Sequence, residues 1–221
     1  MKNLTLDDFN RLTRNSTVLA EDGYGRKVLL LTDKSIFKLF RIKRLLSRAT
    51  FYSPARKFAR NAEKLQQMNI PTVKILDLYR IKALKRTAVH YQQLEGLTVR
   101  EYLQSNTAGP VFFSQLGAFL AGLHNQGIYF RSAHFGNIIY TPKQRFGLID
   151  VADMKISPFS LNRNKRLRNL KHIFRLREDL QLITHTEALE SGYLEHSDIQ
   201  SAAFKNKFTK LYQYRIEQCS A

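Results

Sequence analysis

Cysteine, proline, glycine and acidic side chains are all scarce in this chain of 221 residues, and each shortage excludes something. The lone thiol, Cys219, has no partner for an internal disulfide, which fits a reducing compartment. Without a second thiol, and with the histidines scattered, no structural zinc site finds ligands at the right spacing. Ten glycines and five prolines in a sequence that is 43% hydrophobic argue against collagen-like, low-complexity and disordered chains. Long apolar runs are missing too. Val28 to Leu31 and Gly117 to Leu123 fall far short of the about 20 residues that span a bilayer, so any membrane contact is expected to be peripheral. Met1 to Leu12 carries Asp7 and Asp8 and has no cationic segment followed by an apolar one, so no secretory signal is expected.

The shortage of acids sets the strongest compositional signal. Eighteen Asp and Glu face 36 Lys and Arg, a formal net charge of +18. Such a field attracts polyanions, among them nucleic acid, anionic lipid headgroups and phosphorylated sugars.

Along the chain, Thr17 to Ala20, Lys27 to Leu31 and Ser35 to Phe40 read as strands separated by the turns Glu21-Asp22-Gly23-Tyr24-Gly25 and Thr32-Asp33-Lys34. A helix is expected from about Tyr52 to Met68, with Pro54 near its first turn and Phe58, Ala62 and Leu65 on one face. Thr72 to Arg80 and Ala88 to Gln92 complete a five-stranded antiparallel sheet with one helix. Beyond Gly96 the pattern turns helical, at Thr98 to Gln104 and Val111 to Gln126. A hairpin follows from Ile138 to Tyr140 and Phe146 to Ile149, and the chain is mostly helical again from Phe159. The expectation is an α+β protein of two lobes, 1–93 and 94–221, with the boundary at Gln93 to Gly96.

A β-rich lobe, a linker and a helical lobe holding a short hairpin is the order of a protein kinase. The run Leu123-His124-Asn125-Gln126-Gly127-Ile128-Tyr129-Phe130-Arg131-Ser132-Ala133-His134-Phe135-Gly136-Asn137, followed by Phe146-Gly147-Leu148-Ile149-Asp150, closely resembles the catalytic loop and metal-binding hairpin of protein-kinase-like phosphotransferases. The resemblance puts Asn137 on the metal-binding asparagine and Asp150 on the aspartate that holds Mg²⁺ against the nucleotide phosphates. Hard divalent cations take oxygen ligands, and an amide oxygen and a carboxylate meet that demand. Lys38, in the apolar run Ile36-Phe37-Lys38-Leu39-Phe40, takes the place of the lysine that neutralises the α- and β-phosphates of ATP. A lysine there is costly unless an acid holds it, and Glu63 is the sole acid between Thr50 and Leu76, so it is the expected partner. Gly23 and Gly25 stand where the phosphate-covering turn lies, without the full glycine-rich pattern. Lys38, Glu63, Asn137 and Asp150 are expected to converge.

The same register exposes a departure. Phe130 occupies the family's histidine position and Ser132 that of its catalytic aspartate. A serine hydroxyl is no carboxylate base at neutral pH. Phosphoryl transfer, which rests mainly on positioning and charge neutralisation, then has His134 or Asp153 as groups to orient the acceptor hydroxyl. The alternative is a pseudokinase with a regulatory or scaffolding role in envelope biogenesis.

Within the protein-kinase-like superfamily the chain resembles the bacterial lipopolysaccharide core kinases, the heptose and Kdo kinases and the small toluene-tolerance or InaA-like proteins grouped with them. The likeness spans Val28 to Arg177 and rests on Lys38, Arg60-Asn61-Ala62, Ile70-Pro71-Thr72, the Tyr129-Phe130-Arg131-Ser132 loop and Asp150-Val151-Ala152-Asp153. It implies ATP- and Mg²⁺-dependent transfer to a sugar hydroxyl of the inner core, an anionic glycolipid, at the cytoplasmic face of the inner membrane. From Lys155 to Arg177 eight Lys or Arg residues occur without an acid. Leu167, Leu170, Ile173 and Phe174 recur among them at helical spacing, as in a basic amphipathic helix that docks an anionic surface or packs its apolar face into a core. A basic nucleic-acid-binding protein is a third reading, but no helix-turn-helix, RNP or zinc-finger pattern supports it.

Overall fold

Short β-rich runs joined by tight turns pair with their sequence neighbours, and most strands in the N-terminal part of the chain do so. In the computed structural model, which describes residues 1–42 and 53–220, the elements there are β1 (Lys2–Asn3), α1 (Leu6–Leu12), β2 (Thr17–Asp22), β3 (Gly25–Leu30), β4 (Ile36–Arg41), α2 (Pro54–Gln67), β5 (Lys74–Ile81) and β6 (Arg86–Gln92). They form a sheet of order β1-β5-β6-β4-β3-β2. The sheet therefore has six strands, where five antiparallel ones are expected. The extra strand, β1, pairs parallel to β5, and the unit holds two described helices instead of one. No hydrophobic alternation marks Lys2–Asn3. Their pairing is fixed by α1, whose Phe9 is buried with Leu29, Leu31, Phe37, Leu39, Ile81 and Ala88 on one face of the sheet. Thr5 caps that helix by accepting from the Asp8 N–H. Tyr52, the expected start of the next helix, lies outside the described residues; α2 begins at Pro54 with Ser53 as its cap.

Two compact units result, Met1–Leu94 with Asp150–Ala152, and Glu95–Ile149 with Asp153–Ala221. The second contains β7 (Leu97–Thr98), α3 (Val99–Ser105), α4 (Pro110–Asn125), β8 (Ile128–Tyr129), β9 (Ile138–Tyr140), β10 (Phe146–Leu148), β11 (Lys155–Ile156), α5 (Arg163–Ile173), α6 (Arg177–Leu180), α7 (Thr186–His196) and α8 (Ala202–Ser220). Helix α3 opens on a reciprocal capping box between Thr98 and Glu101. The hairpin β9-β10 extends with β7 to a three-stranded sheet, and β8 pairs with β11. Helices α4 and α7 pack backbone to backbone. A Cβ on Gly117 would lie 2.2 Å from the Leu189 carbonyl oxygen, and one on Gly192 would lie 2.1 Å from that of Ser114. Among the described residues no helix is long and apolar enough to cross a membrane.

Helix α5 carries the basic segment, and its apolar positions Leu170 and Ile173 are buried, as is Phe174 just beyond it. Arg166, expected on the charged face, is instead fully buried. Its Nε donates to the Leu161 carbonyl at 2.7 Å, and its Nη1 donates to Asn125 Oδ1 at 3.0 Å and Ser197 Oγ at 3.1 Å; Nη2 is paired with Asp198. It staples α5 to the ends of α4 and α7. The solvent face belongs to Arg168, Lys171 and Arg175.

Candidate functional site

In the sheet-containing unit, Lys38 sits on the face of β4 opposite Phe37 and Leu39, flanked by the rings of Phe40 and Phe58 at 5.9 and 5.8 Å from its Nζ. Its side chain is 8% exposed. A cation so enclosed needs a counter-charge. Asp150 supplies it: Lys38 Nζ donates to Asp150 Oδ1 at 2.6 Å. Asp150 follows β10 with φ of 53°, a left-handed conformation that a non-glycine residue holds only where its surroundings enforce it. One such restraint comes from α2, whose buried Asn61 donates from Nδ2 to the Val151 carbonyl at 2.7 Å.

The expected partner of Lys38 was Glu63, and the structure corrects this. Glu63 is exposed and makes no ion pair among the described residues, while Phe58, Asn61, Ala62 and Leu65 form the buried face of α2. Two residues on from Asn61, at 3.6 residues per turn, Glu63 points away from that face. From this helix the group that reaches the Asp150 segment is an amide, through the backbone.

Gly23 and Gly25 lie in a closed hairpin. Asp22 pairs with Gly25 across the turn, and Gly25 takes φ of 97°. The Tyr24 N–H is already engaged, donating to Asp22 Oδ1 at 2.9 Å. Arg86 donates to that same oxygen at 3.2 Å and to the Tyr24 carbonyl at 2.8 Å. The hydrogen bonds from Asp22's partners hold its carboxyl below the ordinary carboxylate range, the Tyr24 N–H contributing most. No Cβ neighbour lies within 4 Å of either glycine.

In the second unit the loop from Phe130 to Asn137 is anchored at both ends by buried polar side chains. Asn169 on α5 accepts the Phe130 N–H at 3.0 Å and donates to the Phe130 carbonyl at 2.6 Å. Asp179, 1% exposed, accepts the Phe135 N–H at 2.9 Å and pairs with Arg100 at 2.7 Å. Asn169 also meets His124 Nε2 at 3.2 Å, while His124 Nδ1 meets the Tyr193 hydroxyl at 2.7 Å. Burial, and next the Arg166 charge, push the His124 pKa down to about 3, so this imidazole is a neutral structural link. Gly127, with φ of 74°, has Ser157 and Phe159 carbonyl oxygens 2.4 Å from where a Cβ would stand, so the turn before the loop admits only glycine.

Within the loop, Asn137 spends its Nδ2 hydrogens on the Ser132 carbonyl at 2.9 Å and His134 Nε2 at 3.2 Å. That fixes its amide with the oxygen free of any hydrogen bond among the described residues. His134 thus positions Asn137. Ser132 donates from Oγ to Asp153 Oδ2 at 2.8 Å, and Asp153 ends the 3-10 turn Val151–Asp153. The pattern offered little warning of Asn169 and Asp179. Asn169 does stand on the buried stripe of α5 where an apolar residue is the default, and a polar residue there is the one signal available.

Around His172, the side chains of Arg131, Arg168 and Arg175 make no ion pair or hydrogen bond among the described residues. Burial first, then Arg131, Arg175 and Arg168, lower the His172 pKa, with Asp153 opposing. No group of three or more His, Cys, Asp or Glu side chains forms a metal cage among the described residues.

No family model matches the chain, and no curated protein matches its sequence. Solved structures do resemble it. One is a divergent kinase lacking the glycine-rich loop, which regulates membrane ultrastructure of the Toxoplasma parasitophorous vacuole. It is 18% identical over 84% of this chain and 61% of its own length, with a TM-score of 0.45. Another is WbdD in a co-crystal with a kinase inhibitor, 13% identical over 87% of this chain and 42% of its own, with a TM-score of 0.46. The chain thus spans about two fifths to three fifths of the structures it resembles.

Proposed function

We propose that this chain is a protein-kinase-like phosphotransferase that moves the terminal phosphoryl group of ATP to a sugar hydroxyl of an anionic glycolipid, the inner core of lipopolysaccharide being the acceptor that the sequence resemblance implies. The observation that carries the reading is the Lys38–Asp150 pair, with Asp150 in a left-handed backbone at the end of β10. A buried lysine on the third long strand, held by an aspartate that ends a hairpin, is the arrangement that neutralises nucleotide phosphates on one side and ligates a cation on the other. Asp150 remains 45% exposed, so one carboxylate oxygen is open to further ligands.

In this reading Lys38 binds the nucleotide phosphates. Asn137, its amide fixed by Ser132 and His134, and Asp150 would hold Mg²⁺, which when bound neutralises charge on the transferring group. Arg131, Arg168 and Arg175 attract the negative charge of the acceptor, and the exposed face of α5 favours peripheral contact with an anionic membrane surface. Nucleic acid is the lesser partner class, since charge alone speaks for it.

A second reading, a pseudokinase, is favoured by Ser132 at the position of the catalytic aspartate. A thermal shift with Mg-ATP tests nucleotide binding, which raises the stability of the native state. Transfer of labelled phosphate to isolated core glycolipid, against an Asp150→Ala control, separates enzyme from pseudokinase. Transfer that survives this substitution rejects the metal assignment. Stabilisation by Mg-ATP without transfer establishes the pseudokinase.

A further inference from the structure

The carboxylate missing from position 132 is present one hydrogen bond away. Ser132 Oγ donates to Asp153 Oδ2 at 2.8 Å, and both residues belong to the same compact unit. Asp153 has no other hydrogen-bond donor and no ion pair among the described residues, and its Oδ1 is buried without a partner. A structural carboxylate in a chain with twice as many bases as acids is ordinarily claimed by a cation, as Asp179 is by Arg100 and Asp198 by Arg166. Leaving a buried carboxylate oxygen unmet costs stability. That leaves the carboxylate facing a single donor, the Ser132 hydroxyl that touches it. Because that hydroxyl's hydrogen points at Asp153, the lone pairs of Ser132 Oγ are left to accept a hydrogen bond from outside. Ser132 is partly exposed, and its backbone carbonyl is held by Asn137 at 2.9 Å, so the serine is fixed beside the amide assigned to the metal.

We infer that Ser132 and Asp153 form a two-step proton relay that replaces a single catalytic carboxylate. This rests on the phosphotransferase reading above. The acceptor hydroxyl oxygen forms its bond to the γ-phosphorus while the bond from that phosphorus to the bridging oxygen of ATP breaks and ADP leaves. The acceptor's proton passes to Ser132 Oγ as the serine's own proton passes to Asp153. Ser132 is the catalytic residue that touches the acceptor, and Asp153 acts through it.

The test compares Ser132→Ala, Asp153→Asn and the double variant Ser132→Asp/Asp153→Asn with the unaltered chain. It measures labelled phosphate transfer to isolated core glycolipid and to water, and the thermal shift on adding Mg-ADP. General-base groups contribute about 10² to 10⁴ in rate. Each single variant is expected to lose about 10²-fold or more in kcat, with KM for ATP and the Mg-ADP shift unchanged. The double variant restores a direct carboxylate and is expected to recover to within about tenfold of the unaltered chain. A role confined to holding the loop closed predicts no such recovery. Full turnover in Asp153→Asn, or a double variant as slow as that single one, overturns the relay while leaving the phosphotransferase reading intact. An unaltered chain that binds Mg-ADP yet transfers to neither acceptor overturns the relay in favour of the pseudokinase. Absence of any Mg-ADP shift overturns the phosphotransferase reading, and the relay with it.

Discussion

Lys38 and Asp150, separated by 112 positions in the sequence, meet at 2.6 Å, and the lysine is the enclosed partner while the aspartate is 45% exposed. The asymmetry has consequences that differ for the two ends. Asp150→Asn strands a cation that is 8% exposed between Phe40 and Phe58, whereas Lys38→Met leaves a carboxylate that water can reach. Breaking a buried pair from one side costs about 3–5 kcal/mol, less where one partner is solvated. Urea denaturation is therefore expected to show a loss of about 1–3 kcal/mol for Asp150→Asn and a smaller one for Lys38→Met. On the proposed function, both are expected to lose the thermal shift that Mg-ATP is expected to give the unaltered chain. Equal stability losses would contradict this account of the pair.

His124 makes folding sensitive to acid. Its pKa in the fold is pushed down to about 3, while in the unfolded chain it titrates near 6.5. Between these values the unfolded state binds the extra proton, so stability falls as pH falls, by about 1.4 kcal/mol per unit from this one group. Above pH 6.5 the contribution is complete. Urea midpoints at pH 7, 6 and 5 should decline for the unaltered chain, and His124→Gln should flatten that decline between pH 6.5 and 5.

At the crossing of α4 and α7 no side chain fits. Gly192→Ala is expected to destabilise by about 1–3 kcal/mol, as overpacking does, because its Cβ meets the Ser114 backbone, which cannot rotate aside. Gly122→Ala, on the same α4 but with nothing within 4 Å, is the control and should be neutral or slightly stabilising. Thermal midpoints distinguish the two.

The exposed stripe Arg168, Lys171 and Arg175 is expected to bind anionic vesicles. Sedimentation with phosphatidylglycerol-containing vesicles should exceed that with phosphatidylcholine alone and weaken as salt shortens the Debye length. Replacing the three by serine should reduce binding sharply. Arg166 cannot contribute, being buried, and Arg166→Ser should cost folding stability instead.

Local chemistry announced much of this. The strands β2 to β6 and the helices α2 to α4 follow from alternation, turn residues and helical spacing, because those periodicities act over neighbouring residues. β1 escaped because two residues carry no period; their pairing depends on Phe9 docking against the sheet. Asn137 and Asp150 stood out because a loop and hairpin of fixed spacing carry them. The partner of Lys38 did not, since Glu63 is near in sequence but faces outward from α2.

From the amino acids alone came the α+β character, the excess positive charge and the lysine in its apolar strand. Tertiary structure decided which acid meets Lys38, that Arg166 is a buried staple, that Asn169 and Asp179 hold the loop, and that Asp153 lies under Ser132. Those are choices among many oppositely charged or polar side chains, and composition leaves them degenerate. Packing selects one, because a buried polar group survives only where a partner of the right geometry is brought to it.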